Sequence, residues 1–271
     1  YLRALQTDAL PLPSGTYTVG ATGNYPTLSS AVAALQANGV AGGGDVVFQF
    51  IDASYVDSAQ ILGGYPNQGA ANRVIFRPAP GVVARIFITG GSTATNTFAI
   101  RMDSAAGIIW DGSNSGGTDR SLTIECDTST ATGRTGILIR KGSKSITLRN
   151  LIVKGNRHSA GGINSVILID NTGFAAAGGQ NNITVTNCQL MRGFSGIVAT
   201  SASGAVRDSN HTFTNNLVGG GASAFLFDHL ASVGISLTGD HNVLVDNNDV
   251  NGIKFAGTVA GIRINGANTG V

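Results

Sequence analysis

Four stretches of the chain align on an asparagine: "SITLRNLIVKG" on Asn150, "NITVTNCQLMRG" on Asn187, "HTFTNNLVGG" on Asn215 and "NVLVDNNDVNG" on Asn247. Two residues before each asparagine stands an apolar residue (Leu148, Val185, Phe213, Val245), and three after it another (Val153, Leu190, Val218, Val250). A glycine closes each stretch, at Gly155, Gly193, Gly220 and Gly252, and "SLTIECDTS" extends the series backwards with Cys126 in the asparagine slot. The steps are 24, 37, 28 and 32 residues. A second apolar segment accompanies the copies: "GILIR" (136–140), "VILID" (166–170), "GIVAT" (196–200), "FLFDH" (225–229) and "GIRIN" (261–265). No single copy can bury its apolar side chains alone, so the copies must stack.

Stacking of such units predicts an all-β solenoid of parallel strands. Each strand pairs with the equivalent strand one coil above and below, about 4.8 Å away. Parallel strands covered on one side read as Val/Ile/Leu runs, and variable loops between them account for the uneven step. The asparagines Asn150, Asn187, Asn215 and Asn247 are expected to point inward at a corner and bond one another as a structural ladder. Glycine, at 39 of 271 residues about twice its usual share, supplies the turns.

The first sixty residues differ. Residues 1–15, with Pro11 and Pro13, read as an extended arm. Residues 16–60 read as a cap of strand, helix and strand: "TYTVG", then Leu28, Val32 and Leu35 on one helical stripe started by Thr27 or Asn24 and stopped at Asn38-Gly39, then "DVVFQFIDASYVD". The coils fill 61–271. The chain stops at "GIRINGANTGV" without a cap, so self-association or a larger assembly through that end and the arm is expected.

In these features the sequence resembles the right-handed parallel β-helix proteins of the pectate-lyase-like superfamily. "YTVGATGNYPTLSSAVAALQANGV" is similar to the N-terminal cap of that group, pectin methylesterases included. "VIFRPAPG", "IFITGG" and "GIIWDGSNSGGTDRSLTIECDTS" resemble large secreted or surface β-helix proteins of Bacteroidota-type bacteria. The resemblance implies the fold and a secreted or cell-surface location, yet the family's catalytic sets do not carry over. The one Arg-Pro pair, Arg77-Pro78, lacks the second arginine of the lyases in its place, "LTGDHNVL" (Gly239, Asp240, His241) lacks the flanking pattern of the hydrolases, and the esterase motif is missing.

Individual residues admit chemical readings. Asp103 and Asp111 near Trp110 are a carboxylate pair beside an aromatic, the layout of a sugar-cleaving site, although "DGSNSGG" also reads as a turn bonding its own backbone. His241 is a third catalytic candidate, and stacking would set it beside His211. Residues 134–158 hold Arg134, Arg140, Lys141, Lys144, Arg149, Lys154, Arg157 and His158 without an acid, and Arg140, Arg149, Lys154 and Arg157 are candidates for holding an acidic polysaccharide. In 241–252, Asp246 and Asn248 fit the first two positions of a calcium loop, but Val250 takes the third and no glutamate follows. No metal and no cofactor are expected. Cys126 and Cys188 are expected as free buried thiols, about 9–10 Å apart if two coils separate them.

A formal charge of +2 without a Lys/Arg cluster on one face speaks against nucleic acid, and no apolar run approaches the roughly eighteen residues of a membrane span. The leading expectation is a non-enzymatic secreted or surface module, structural, adhesive or filament-forming. The alternative is a carbohydrate-active β-helix, a lyase or hydrolase of acidic polysaccharide.

Overall fold

Each coil turns where the chain can adopt a left-handed backbone, and asparagine is the side-chain-bearing residue that tolerates this best. Asn150, Asn187, Asn215 and Asn247 all have positive φ, between 50° and 58°. A second left-handed column, Ser145, Asn182, Asn210 and Asn242, stands five residues earlier in the chain. The two columns bracket one short strand per coil. The computed structural model describes residues 10–89, 98–127, 134–156, 164–174, 178–201, 207–220, 229–254, 259–266 and 270–271.

Within these residues the strands form three parallel sheets. The first sheet stacks Gly15–Val19, Val46–Phe50, Val74–Pro78, Ile108–Asp111, Lys144–Arg149, Asn181–Thr186, Thr212–Thr214 and Leu244–Asp246. The second stacks Ser54–Asp57, Ala84–Ile88, Leu122–Cys126, Leu151–Lys154, Gln189–Met191, Leu217–Val218 and Asp249–Val250. The third stacks Gln60–Leu62, Phe98–Asp103, Thr135–Arg140, Ser165–Asp170, Ser195–Thr200, Val233–Thr238 and Ala260–Asn265. The chain is thus a parallel β-helix, with the right-handed coil that parallel crossover connections take.

The core is built as columns. On the inner side of the first sheet the register puts Tyr17, Phe48, Phe76, Trp110, Leu148, Val185, Phe213 and Val245 one above another. Its aromatic end is stacked ring on ring: Phe48 on Phe76 at 5.0 Å and Phe76 on Trp110 at 4.4 Å, with the ring planes nearly parallel. At the opposite end, Ile262 and Ile264 continue core columns of the third sheet and are about half exposed.

The opening unit follows from its sequence. Thr27 caps the helix Leu28–Asn38 in a capping box with Ser30, and Leu28, Ala31, Val32 and Leu35 face the core. Gly39 ends it at φ 65°, where an added Cβ would run into Pro66. Strands Gly15–Val19 and Val46–Phe50 pair with each other and then with Val74–Pro78, so sheet pairing runs without a break from the cap into the coils. Of the arm, residues 1–9 lie outside the described residues. Leu12 is buried against the chain's own Val40.

Three expectations are corrected. The repeat asparagines do not point inward: a left-handed corner turns them to the outside, where Asn187 donates to Asn150 at 2.8 Å and Asn247 donates to Asn215. The inner rung is made by the next residue, Leu151, Cys188, Asn216 and Asn248, with Asn216 Nδ2 donating to Asn248 Oδ1 at 2.9 Å. Cys126 does not occupy the asparagine slot, since Asp111 pairs with Arg149 and leaves Gly112 opposite Asn150. The fourth accompanying strand is Val233–Thr238, not 225–229, of which only His229 is described.

Both thiols are free and fully buried, and burial pushes each up to about 12. A thiol-specific reagent is therefore expected to leave the native protein unlabelled and to modify two cysteines after unfolding. Rapid labelling of either cysteine in the native protein would contradict this burial.

Candidate functional site

A strand alternates its side chains between faces, so each inner column has an outer counterpart. On the first sheet this outer row runs Gln49, Arg77, Asp111, Arg149, Thr186, Thr214 and Asp246. Asp111 sits in its middle, nearly buried, with Arg149 Nη2 at 2.7 Å and Nε at 2.9 Å from its Oδ2. Its Oδ1 accepts from Asn150 Nδ2 at 2.8 Å and from the Ser113 amide at 3.1 Å.

Beside this row the loop 112–120 forms a ridge. Its hub is Asp119, which accepts from the hydroxyls of Ser113, Ser115 and Ser121 and from the Asn114 amide. The Ser113 and Ser115 hydroxyls, more than any other influence, hold Asp119 well below the usual carboxylate range. Asn114 reaches out to the Val82 carbonyl at 2.9 Å. The far end of the loop is fastened two coils away: Arg120 donates to the Asn187 carbonyl and to its Oδ1 at 2.9 and 2.8 Å, and Asn187 Nδ2 donates to the Thr118 carbonyl. On one side of the ridge Asp111, Thr118, Arg149, Asn150, Thr186 and Asn187 line a shallow pocket of about 480 Å³. On the other, Arg77, Pro78, Ser113 and Asn114 line one of about 430 Å³.

The candidate residues are dispersed more widely than their order in the chain suggested. A coil has three faces, so one basic run is distributed over all of them. Arg140 ends a strand of the third sheet, Arg149 one of the first and Lys154 one of the second. They form no common basic wall. Arg157 and His158 lie outside the described residues. Asp103 and Asp111 are likewise no pair, since they end strands of different sheets, and Trp110 faces the core, out of reach of a sugar.

Two other outer carboxylates are each surrounded by cations. Asp103 meets Arg140 at 2.7 Å, Lys141 at 3.0 Å and Arg101 at 3.3 Å. Burial works to raise its pKa, and these three cations outweigh it and keep the carboxyl below its ordinary value. Glu125 on the second sheet meets Arg85 and Arg192, both at 2.8 Å, with the same balance of burial against cations.

His211 and His241 do not stack. The register sets His241 on Ser209, and His241 is exposed while His211 is buried. His211 instead belongs to a corner between the third and first sheets, where Gln180, Asp208 and Asp240 follow one another coil by coil. There His211 Nε2 lies 3.9 Å from Asp240 Oδ1, and ligating atoms of Asp208, His211 and Asp240 all fall within 4.8 Å of one another. Burial, more than any other influence, pushes Asp208 up to about 6 and Asp240 up to about 7, and lowers His211 to about 4. Nothing in the spacing of a lone Gln, two Asp and a His, scattered over sixty residues, marks this corner in the sequence; only the coil register assembles it.

No family model and no curated protein matches the sequence. Two solved structures of the pectin methylesterase from Aspergillus niger, one in deglycosylated and one in penultimately deglycosylated form, are similar in outline at 12% identity. They cover 97% and 96% of this chain and 88% of their own, with TM-scores of 0.44 and 0.45. Among the described residues no helix is long and apolar enough to cross a membrane.

Proposed function

We propose that the chain is a non-catalytic carbohydrate-binding β-helix that holds an acidic polysaccharide along the outer face of its first sheet. The observation that carries this reading is the pocket beside the 112–120 ridge. Arg149 is anchored there by Asp111 and still leaves 44% of its side chain exposed, next to the amides of Asn150 and Asn187 and the hydroxyls of Thr118 and Thr186. Asp111 holds the Nε and Nη2 of this guanidinium, so its exposed remainder meets the sugar carboxylate, and the Asn150 and Asn187 side-chain oxygens accept from neighbouring sugar hydroxyls. The row continues past the ridge to Arg77, so an extended ligand meets a second cation in the second pocket.

The same geometry favours holding over cleaving. Glycoside hydrolysis needs a carboxylic acid able to give up a proton and a second free carboxylate roughly 5–9.5 Å away. Asp111 is the one carboxylate lining these two pockets, and its oxygens are taken by Arg149, Asn150 and Ser113. Asp119 is held ionised by four donors. Both carboxylates position donors.

Calorimetric titration with oligogalacturonate is expected to show binding that weakens with added salt, with no release of reducing ends, unsaturated product or methanol. Arg149→Ala should weaken it by about tenfold or more, the loss expected of a charge-assisted bond worth roughly 1.5–3 kcal/mol. Turnover abolished by Asp111→Asn would establish an enzyme instead, and absence of binding to any acidic polysaccharide would overturn the proposal.

A further inference from the structure

Along the outer row of the first sheet the charges alternate. Arg77, Asp111 and Arg149 stand in register on three successive coils, so the two cations are two strand spacings apart, about 9–10 Å. Arg149 is anchored through Asp111 and keeps 44% of its side chain exposed. Arg77 is half-buried and has no acid partner among the described residues, and its Nε is buried without a hydrogen bond. A guanidinium in that position is short of an anion.

Between the two cations the face is negative. Asp111 occupies the middle coil, and Asp119 in the adjoining ridge is held ionised by the Ser113 and Ser115 hydroxyls. The cation of the ridge, Arg120, is taken up by Asn187. The two pockets meet at Gly116, which lines both. Gly116 has φ 81°, and a Cβ added there would meet nothing within 4 Å. No side chain stands at this saddle, so the pockets join into a trough that follows the coil axis from Arg77 to Arg149.

We infer, on the reading of this face as a polysaccharide site, that the trough selects polymers in which acidic and uncharged sugars alternate, the class of uronate–amino sugar copolymers. In an extended chain a pyranose unit advances by about one coil spacing. A chain laid along the trough therefore sets every second sugar against a cation and the sugar between them over Asp111 and Asp119. In an alternating polymer that middle sugar is uncharged. In a polyuronate it carries a carboxylate, and like charges at close range cost affinity. Total charge favours the opposite order, because a polyuronate of equal length has twice the charge of an alternating chain. The order of the charges on the protein, not their sum, sets the preference.

The test titrates the whole chain with a hyaluronan octasaccharide and a galacturonate octamer at the same salt concentration. Hyaluronan is expected to bind several-fold more tightly although it carries half the charge. A hyaluronan tetrasaccharide, which reaches both cations, should bind more tightly than a disaccharide, which reaches one. Arg77→Ala should remove that gain and lower octasaccharide affinity by about tenfold, the loss of one charge-assisted contact. Gly116→Asn, a residue that tolerates the left-handed backbone, should fill the saddle and weaken octasaccharide binding in a protein that still melts cooperatively. Galacturonate bound as tightly as hyaluronan, a tetrasaccharide gain that survives Arg77→Ala, or unaltered octasaccharide affinity in folded Gly116→Asn would each overturn the selectivity and leave the binding face in place. Binding of neither polymer would overturn the binding face itself, and the selectivity with it.

Discussion

Trp110→Ala is expected to cost about 3–5 kcal/mol of unfolding free energy, the range for deleting a large aromatic from a packed core. The ring is fully buried, lies at 4.4 Å from Phe76 and is flanked by Phe50 at 6.4 Å, so its removal leaves a void under two neighbours that cannot collapse without shifting their strands. The consequence reaches the surface, because Asp111 is the next residue of the same strand and faces the other way. Loosening the ring column should therefore also degrade the Asp111–Arg149 geometry. Denaturant unfolding of the two proteins side by side measures the first effect, and a midpoint unchanged in Trp110→Ala would show that the aromatic stack is not what holds these coils.

The second large effect is expected at Gly112. This residue sits opposite Asn150 one coil away, and an added Cβ would overlap the Asn150 carbonyl. The obstacle is backbone at the spacing that strand pairing enforces, so neither side can give way without breaking the ladder. Gly112→Ala should destabilise by about 1–3 kcal/mol or more. Gly117→Ala, in the same loop, meets only the Ser115 hydroxyl and should change little. Equal melting temperatures for the two variants would refute the close approach as the reason for glycine at 112.

The coil architecture was legible because its signal is repeated. Val153, Leu190, Val218 and Val250 are one column seen four times, and repetition survives loops of any length. Register is harder to read. Cys126 fitted the asparagine slot by residue spacing alone, yet the loop 112–120 had already taken the chain past that corner. The outward turn of the asparagines was missed for a physical reason: inward or outward depends on the sign of φ, which residue type only biases. The spacing of five between Asn182 and Asn187, Asn210 and Asn215, and Asn242 and Asn247 is the trace that two left-handed corners leave in the sequence.

The functional candidates were less legible still. Arg140, Arg149 and Lys154 look like one patch in a linear reading, but every coil turns through three faces, so proximity in sequence becomes separation in space. The converse holds at the buried corner, where Gln180, Asp208 and Asp240 come together from three successive coils. In a solenoid, residues one repeat apart are the true neighbours.

The fastening of Arg120 to Asn187 also has a mechanical meaning. In a β-helix the strand-pairing bonds lie along the long axis, so a pull on the two ends loads every rung in series and the weakest coil parts first. A tie that leaves the Asp111 strand, passes over the Arg149 coil and grips the next one carries load in parallel with two rungs. Under tension, rupture is then deflected away from the Asp111 pocket and towards coils that show no such brace among the described residues, so this outer stretch of the first sheet is the last part of that region to come apart.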